Sequence, residues 1–201
     1  MADREFPSDC YEDSGCRLPL PKRDELSPAA QKAYDHHVEP GGGSIAGLWG
    51  PGGIKLHSPH VSEYTREIGR YLRHQAGYSA PIRELAILVT AREMDSQFEW
   101  AAHEPEALKE GLDAAVIDIV KHRKPADGLA ETERTVIEFG RQLFGERRVA
   151  PELFARALEI FGQGTLVDLV CLMANYSGTA SLLAAFDMQL PPGKEPLLPI
   201  P

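Results

Sequence analysis

Ser96, Glu99 and His103 stand three and four residues apart, and Glu84 lies twelve residues before Ser96. On a helix, residues at those short spacings project from one face, so a hydroxyl, a carboxylate and an imidazole would share one small volume. Imidazole has an unperturbed pKa near 6.5 and gives or takes a proton at neutral pH with little tuning. Glu84 sits in an apolar stretch containing Ile82, Leu85, Ala86, Leu88 and Val89. A carboxylate buried there needs a partner or holds a raised pKa, the usual condition of a general acid or base. The chemistry these residue types offer together is proton transfer.

Each of these residues also has a plainer reading. Ser96-x-x-Glu99 has the form of a capping box, in which the serine accepts from a first-turn amide and the glutamate reaches back to the serine amide. Glu84 could pair with Arg83 or Arg92, and His103 could bond a backbone carbonyl. A metal set from Glu84, Glu99 and His103 falls short of the usual catalytic zinc ligands, and His-x-x-x-His spacing is absent, so neither metal nor cofactor is expected. His36-His37 and His57-x-x-His60 read as solvent or loop residues. Cys10, Cys16 and Cys171 read as free thiols, because the count is odd and no tight Cys-x-x-Cys pair occurs. A site built from Cys10, Cys16 and His36 or His37 is disfavoured for the same reason.

The order Glu84, Ser96, Glu99, His103 resembles the alkylhydroperoxidase D and carboxymuconolactone decarboxylase superfamily. Its peroxidase branch carries a glutamate, then Cys-x-x-Cys, then a histidine four residues on, and both cysteine positions are occupied here by Ser96 and Glu99. Peroxide reduction needs a thiolate and a resolving thiol, which serine and glutamate cannot replace. Thiol peroxidase chemistry is therefore set aside, Cys171 included, since that residue falls in an apolar run. The resemblance spans about residues 26 to 188. It implies an all-α helical bundle of about seven to eight helices and a homo-oligomer, trimer or hexamer, with pockets between helices. It further implies a cofactor-free lyase or isomerase, decarboxylase-like, acting on a small oxygenated acid, lactone or aromatic catabolite. His103 would relay the proton with Glu84 or Glu99 as partner or acid, while Tyr176 and Arg83 would hold substrate oxygens. His57 matches a Leu-His-Ser-Pro stretch of the superfamily. The glycine-rich loop around Trp49 and the Pro105 break are not expected of a muconolactone decarboxylase proper, so the substrate is not carried over. A non-catalytic helical oligomer that binds a small ligand is the alternative.

The elements that must position these residues follow from caps, breakers and periodicity. Residues 1–26, rich in Pro, Asp and Arg, read as an extended arm that wraps a neighbour or the body of the protein. The helical domain then runs over 27–188 and a proline-rich tail over 189–201. Ser27-Pro28 starts a helix to about Val38. Residues 41–58 read as a substrate-facing loop holding Trp49, because long irregular segments in compact domains tend to be functional. Ser58-Pro59 opens a helix to about Ala76, and Ser79-Ala80-Pro81 opens the one carrying Glu84. The motif helix starts at Asp95 or Ser96 and is expected to kink or restart at Pro105. Further helices are expected over about 113–122, 130–145, 151–161 and 165–186, and the five-proline tail should lie extended over a surface.

The formal charge of −9 disfavours nucleic acid and anionic membrane as partners, because both need a dense basic surface. A small molecule is the expected ligand. No run of about 18 apolar residues and no secretory leader is read from the sequence, which gives a cytoplasmic location as the expectation.

Overall fold

The computed structural model describes residues 6–39 and 45–200. Among the described residues there are eight α-helices: α1 Pro28–Val38, α2 Pro51–Lys55, α3 Pro59–His74, α4 Ala80–Glu93, α5 Gln97–Lys109, α6 Ala114–Lys121, α7 Glu131–Arg141 and α8 Pro151–Ala185. Among the described residues there is no strand, only an isolated antiparallel bridge between Tyr11 and Cys16. The all-α reading holds. Two compact units divide the chain, one of Met1–Glu67 with Leu182–Lys194 and the other of Ile68–Ser181 with Glu195–Pro201.

The second unit is built on α4. Every residue from Glu84 to Arg92 is buried, as an apolar sequence without a polar face requires. This helix packs against α5, α6 and α7. Close approach of α7 depends on Gly140, because a Cβ there would overlap Val89 Cγ1. Asp113 caps α6 by accepting from Ala115 N at 2.8 Å. A π-helical turn, Gln142–Glu146, follows α7, and Arg147 then adopts a left-handed conformation that ends it. α8 spans both expected late helices with one non-helical residue between them, Gly162 at φ 70°. It contains an 18-residue window of mean hydropathy 1.5, so, contrary to the sequence reading, one described helix is long and apolar enough to cross a membrane. Leu166, Leu169, Leu172, Met173 and Tyr176 on that helix are buried in the core, whereas Val167 and Cys171 are exposed.

Three local expectations are corrected. α5 continues through Pro105 to Lys109 without restarting. Pro105 lacks the N–H that would bond the Ala101 carbonyl and its ring crowds that carbonyl, but buried Trp100, Ala101, His103 and Ala107 hold both halves of the helix in the core. Cys171 is exposed, since it falls on the outer face of α8. The tail does more than lie on a surface: Leu198 is buried in the core of the second unit. Gln97 fixes it there, accepting from Leu197 N and Leu198 N at 2.9 and 2.7 Å and donating to Leu198 O at 2.8 Å.

In the first unit the N-terminal arm packs on its own chain. Arg17 N donates to Phe186 O, and Gln189 N donates to Gly15 O. Ser27 caps α1 as expected, accepting from Ala30 N. Within the glycine-rich stretch residues 41–44 lie outside the described residues, and Pro51–Lys55 forms α2 instead of open loop. Gly53 permits that turn, since a Cβ there would run into the Leu48 carbonyl.

Candidate proton-transfer site

The turn between α4 and α5 decides the site. α4 ends with Asp95 at φ 48°, Asp95 N donating to Arg92 O at 3.2 Å and Ser96 N donating to Ala91 O at 2.8 Å. These are the two bonds of a Schellman ending, with aspartate in the left-handed position that glycine usually fills. The Ser96 amide is thereby satisfied by α4. Ser96, although at the N-cap of α5 and buried, makes no side-chain cap bond. The serine half of the capping box is therefore not realised, and Glu99 Oε2 lies 3.8 Å from His103 Nε2.

His103 Nδ1 lies 2.8 Å from Glu84 Oε2. A carboxylate only accepts, so Nδ1 carries the proton and donates. In the neutral ring Nε2 is then the basic atom, and it stands 3.8 Å from Glu99 Oε2, beyond direct hydrogen-bond range but within reach through one bridging atom. The other oxygen of Glu84, Oε1, accepts from Arg83 Nε at 2.9 Å. Arg83 in turn donates through Nη1 to Arg73 O at 2.9 Å, and its Nη2 lies 3.5 Å from Glu110. Hydrogen bonds link Arg83, Glu84 and His103, and Glu99 stands beyond direct bonding range at the far nitrogen of the ring.

Burial by itself would push the Glu84 carboxyl up, but the hydrogen bond and charge of His103, and then those of Arg83, hold it below the ordinary carboxylate value. Glu84 stays ionised and orients the imidazole. Tyr176 on α8 sets its ring edge-on to His103, with centroids 5.1 Å apart and planes at 86°. Its hydroxyl is pushed up by burial, so it remains a protonated donor. Glu84, Glu99, His103, Tyr176 and Ser96 are all buried. Because Glu84 and Glu99 address opposite nitrogens of one ring, they do not converge with His103 on a single ion.

Of the residues singled out from sequence, the structure gathers Glu84, Glu99, His103, Tyr176 and Arg83, with Ser96 at the start of the same helix. Arg83 stands behind Glu84 with its donors directed at Glu84, Arg73 and Glu110. Trp49 and His57 belong to the first unit. Trp49 Nε1 donates to Gln189 O at 2.8 Å with its ring against Gly15, and His57 Nε2 lies 3.0 Å from Pro19 O. Cys10 packs beside Asp187 and Asp9, whose carboxylates meet Arg17, so the cysteine and histidine grouping weighed from sequence does not assemble among the described residues. One residue escaped the sequence reading. Arg73, on the last turn of α3, accepts at its carbonyl from Arg83 Nη1 at 2.9 Å. Nothing in its local sequence, Arg70-Tyr71-Leu72-Arg73, marks it.

Among solved structures the chain is similar to an uncharacterized peroxidase-related protein from Ralstonia eutropha JMP134, described as an alkylhydroperoxidase AhpD core. The match has a TM-score of 0.71 over 89% of this chain and 93% of that one. The chain has the AhpD-like fold. At 15% identity the likeness establishes the fold alone. No family model matches the sequence, and neither does any curated protein. In this all-helical core α4 and α5, on which Glu84 and His103 meet, are both largely buried.

Proposed function

We propose that this protein is a cofactor-free lyase or isomerase, decarboxylase-like, that moves a proton on a small oxygenated acid, lactone or aromatic catabolite. The observation that carries the proposal is the 2.8 Å bond from His103 Nδ1 to a fully buried, ionised Glu84, which leaves Nε2 to exchange the proton. In the lyase direction a substrate carboxylate departs as carbon dioxide, and its bonding electron pair passes into an adjacent carbonyl as an enolate. The Tyr176 hydroxyl donates to the enolate oxygen, and the His103 imidazolium delivers its Nε2 proton to the carbon. Glu99 returns a proton to Nε2. Glu84 offsets the imidazolium charge, and Arg83 keeps Glu84 ionised and in place. General acid or base help of this kind is worth about 10² to 10⁴ in rate, and an oxyanion donor about 10² or more.

The test is incubation in deuterated water with a panel of aromatic acids, lactones and ring-cleavage products, for wild type and His103→Ala. Wild type is expected to consume a substrate or exchange its C–H for deuterium, and His103→Ala to lose this by at least about 10². Equal turnover by both proteins rejects the assignment.

The second reading, a non-catalytic helical protein that binds a small ligand, is favoured by the depth of the relay, since Glu84 is 0% and His103 4% exposed. Tight binding without turnover in both proteins supports it. The solved relative is called peroxidase-related, and exposed Cys171 is the thiol through which such chemistry would remain open here. Activity that survives replacement of Cys10, Cys16 and Cys171 excludes that route.

We also propose a cytoplasmic homo-oligomer, trimer or hexamer, with a small molecule as its substrate and neither nucleic acid nor membrane as a partner. The net charge of −9 supports the last two points. Val61, Tyr64, Ile68 and Tyr71, exposed along one face of α3, support assembly. Light scattering in solution reads the state directly.

A further inference from the structure

Residues 195–200 are held by one buried anchor and by two side chains that flank the α4–α5 turn. Leu198 is 4% exposed, in the core of the second unit, while its neighbours in this segment are all exposed. Gln97, the first residue of α5, accepts through Oε1 from Leu197 N at 2.9 Å and from Leu198 N at 2.7 Å, and donates through Nε2 to Leu198 O at 2.8 Å. Arg92, in the last turn of α4, donates through Nη2 to Pro199 O at 3.4 Å and through Nη1 to Asp95, the left-handed residue of the turn. Among the described residues, the backbone of 195–200 bonds to no other backbone.

These are the features of a peptide site. The Gln97 amide supplies the donor and the acceptor that a second backbone would supply, and one apolar anchor enters the core. Pro196 and Pro199 bracket the two leucines, and the fixed φ of proline leaves the free segment fewer conformations to lose on docking. A segment tied by side chains alone also comes away without unravelling a helix, so the site can stand vacant in a folded chain.

We infer that the α4–α5 turn is a docking site for a Pro-Leu-Leu-Pro segment, filled by the chain's own residues 195–200, and that filling it holds Glu84 to His103. The two gripping side chains lie on the two helices concerned, Arg92 on that of Glu84 and Gln97 on that of His103. Between them the turn is short, with Asp95 N and Ser96 N closing onto Arg92 O and Ala91 O. The docked segment ties Gln97 to Arg92 across that turn, and the helices keep the setting at which His103 Nδ1 lies 2.8 Å from Glu84 Oε2. Helical period sets Gln97, Trp100 and Glu104 in a row beside Ser96, Glu99 and His103, so any rotation of α5 on release moves both rows together. The Glu84–His103 bond is present whether the protein turns a substrate over or only binds one, so the dock is independent of the proton-transfer reading.

The segment can be released in the full chain and offered back as a separate peptide. Leu198→Asp places a charge where the core takes leucine. Its helical circular dichroism is expected to match wild type, while the Nδ1–H signal of His103 broadens and fades. Adding the peptide Glu-Pro-Leu-Leu-Pro-Ile is expected to restore that signal saturably, and the same peptide carrying Leu198→Asp to leave it unchanged. Gln97→Ala in the Leu198→Asp chain is expected to weaken peptide binding by at least about tenfold, the range of lost hydrogen bonds. Leu198→Ala, a milder release, carries the same test if aspartate costs the chain its helices. A wild-type His103 signal in both Leu198 variants overturns the control of the helix pair, as does bound peptide that restores nothing. No saturable binding of the peptide to either variant, or binding that ignores Gln97, overturns the dock.

Discussion

Glu84→Gln is the most discriminating perturbation because it changes one charge and almost no volume. Both oxygens of Glu84 accept, one from Arg83 Nε at 2.9 Å and one from His103 Nδ1 at 2.8 Å. Glutamine has one oxygen to offer these two donors. Arginine cannot give up its protons, so the amide oxygen goes to Arg83 and the amide NH₂ faces His103. The imidazole must then move its proton to Nε2, toward Glu99, and the basic nitrogen turns away from the substrate side. One charge-assisted bond of about 1.5 to 3 kcal/mol becomes neutral, and Arg83, 12% exposed at its side chain, is left with only Glu110 at 3.5 Å as a counter-charge. Breaking a buried pair outright costs about 3 to 5 kcal/mol, so the isosteric amide should cost about 3 kcal/mol. Proton transfer should fall by about 10² to 10⁴.

Urea unfolding reads the first quantity and long-range nitrogen–proton correlation spectra of the imidazole read the tautomer. The folded carboxyl lies below its ordinary value of 4.5, so its stabilisation is complete above that pH and is lost as pH falls through the folded value. The wild-type and Glu84→Gln stability profiles should therefore converge in acid. A variant within about 0.5 kcal/mol of wild type at pH 7, the range of an inconsequential surface change, would refute this reasoning, as would one that keeps the Nδ1–H signal.

Three other outcomes are expected. His37 is held down at about 4 by burial first and then by the positive charges of His36, Lys55 and Arg66. The unfolded chain binds the proton more readily, so stability is whole above about pH 6.5, falls by up to about 3 kcal/mol on the way to pH 4, and is flattened by His37→Gln in denaturation at several pH values. Gln97→Ala removes three bonds to the tail and should cost about 1 to 3 kcal/mol, with amide exchange at Leu197 and Leu198 rising more than elsewhere. Gly140→Ala should destabilise by about 1 to 3 kcal/mol despite alanine's better helix propensity, because its methyl overlaps Val89, and Val89→Ala in the same chain should recover part of the loss in thermal unfolding.

Much of the frame was legible because its signals are local. Ser27-Pro28, Ser58-Pro59 and Ala80-Pro81 mark starts for α1, α3 and α4, since caps and first-turn prolines act within four residues. The fall of Glu84 in an apolar run announced its burial. Of the kink or restart expected at Pro105, the restart does not occur, because a helix buried on both sides of the proline outweighs the lost bond and the crowding of its ring. Misreading Cys171 had a similar origin. An apolar run does not say which face of its helix turns outward, and α8 is buried on one face and exposed on the other.

The sequence by itself determined that the chain is helical and that Glu99 and His103 share one helix face, because both follow from the period of the α-helix. It also showed that the helix face carrying His103 presents serine and glutamate at 96 and 99 and no thiol. Only the tertiary structure decided that the Ser96 side chain makes no cap bond and that Glu84 reaches His103. The Schellman turn on Asp95 takes up the Ser96 amide, and α4 brings Glu84 to the imidazole from 19 residues away. Whether a buried carboxylate finds its donors depends on how the helices pack around it and on nothing beside it in the chain.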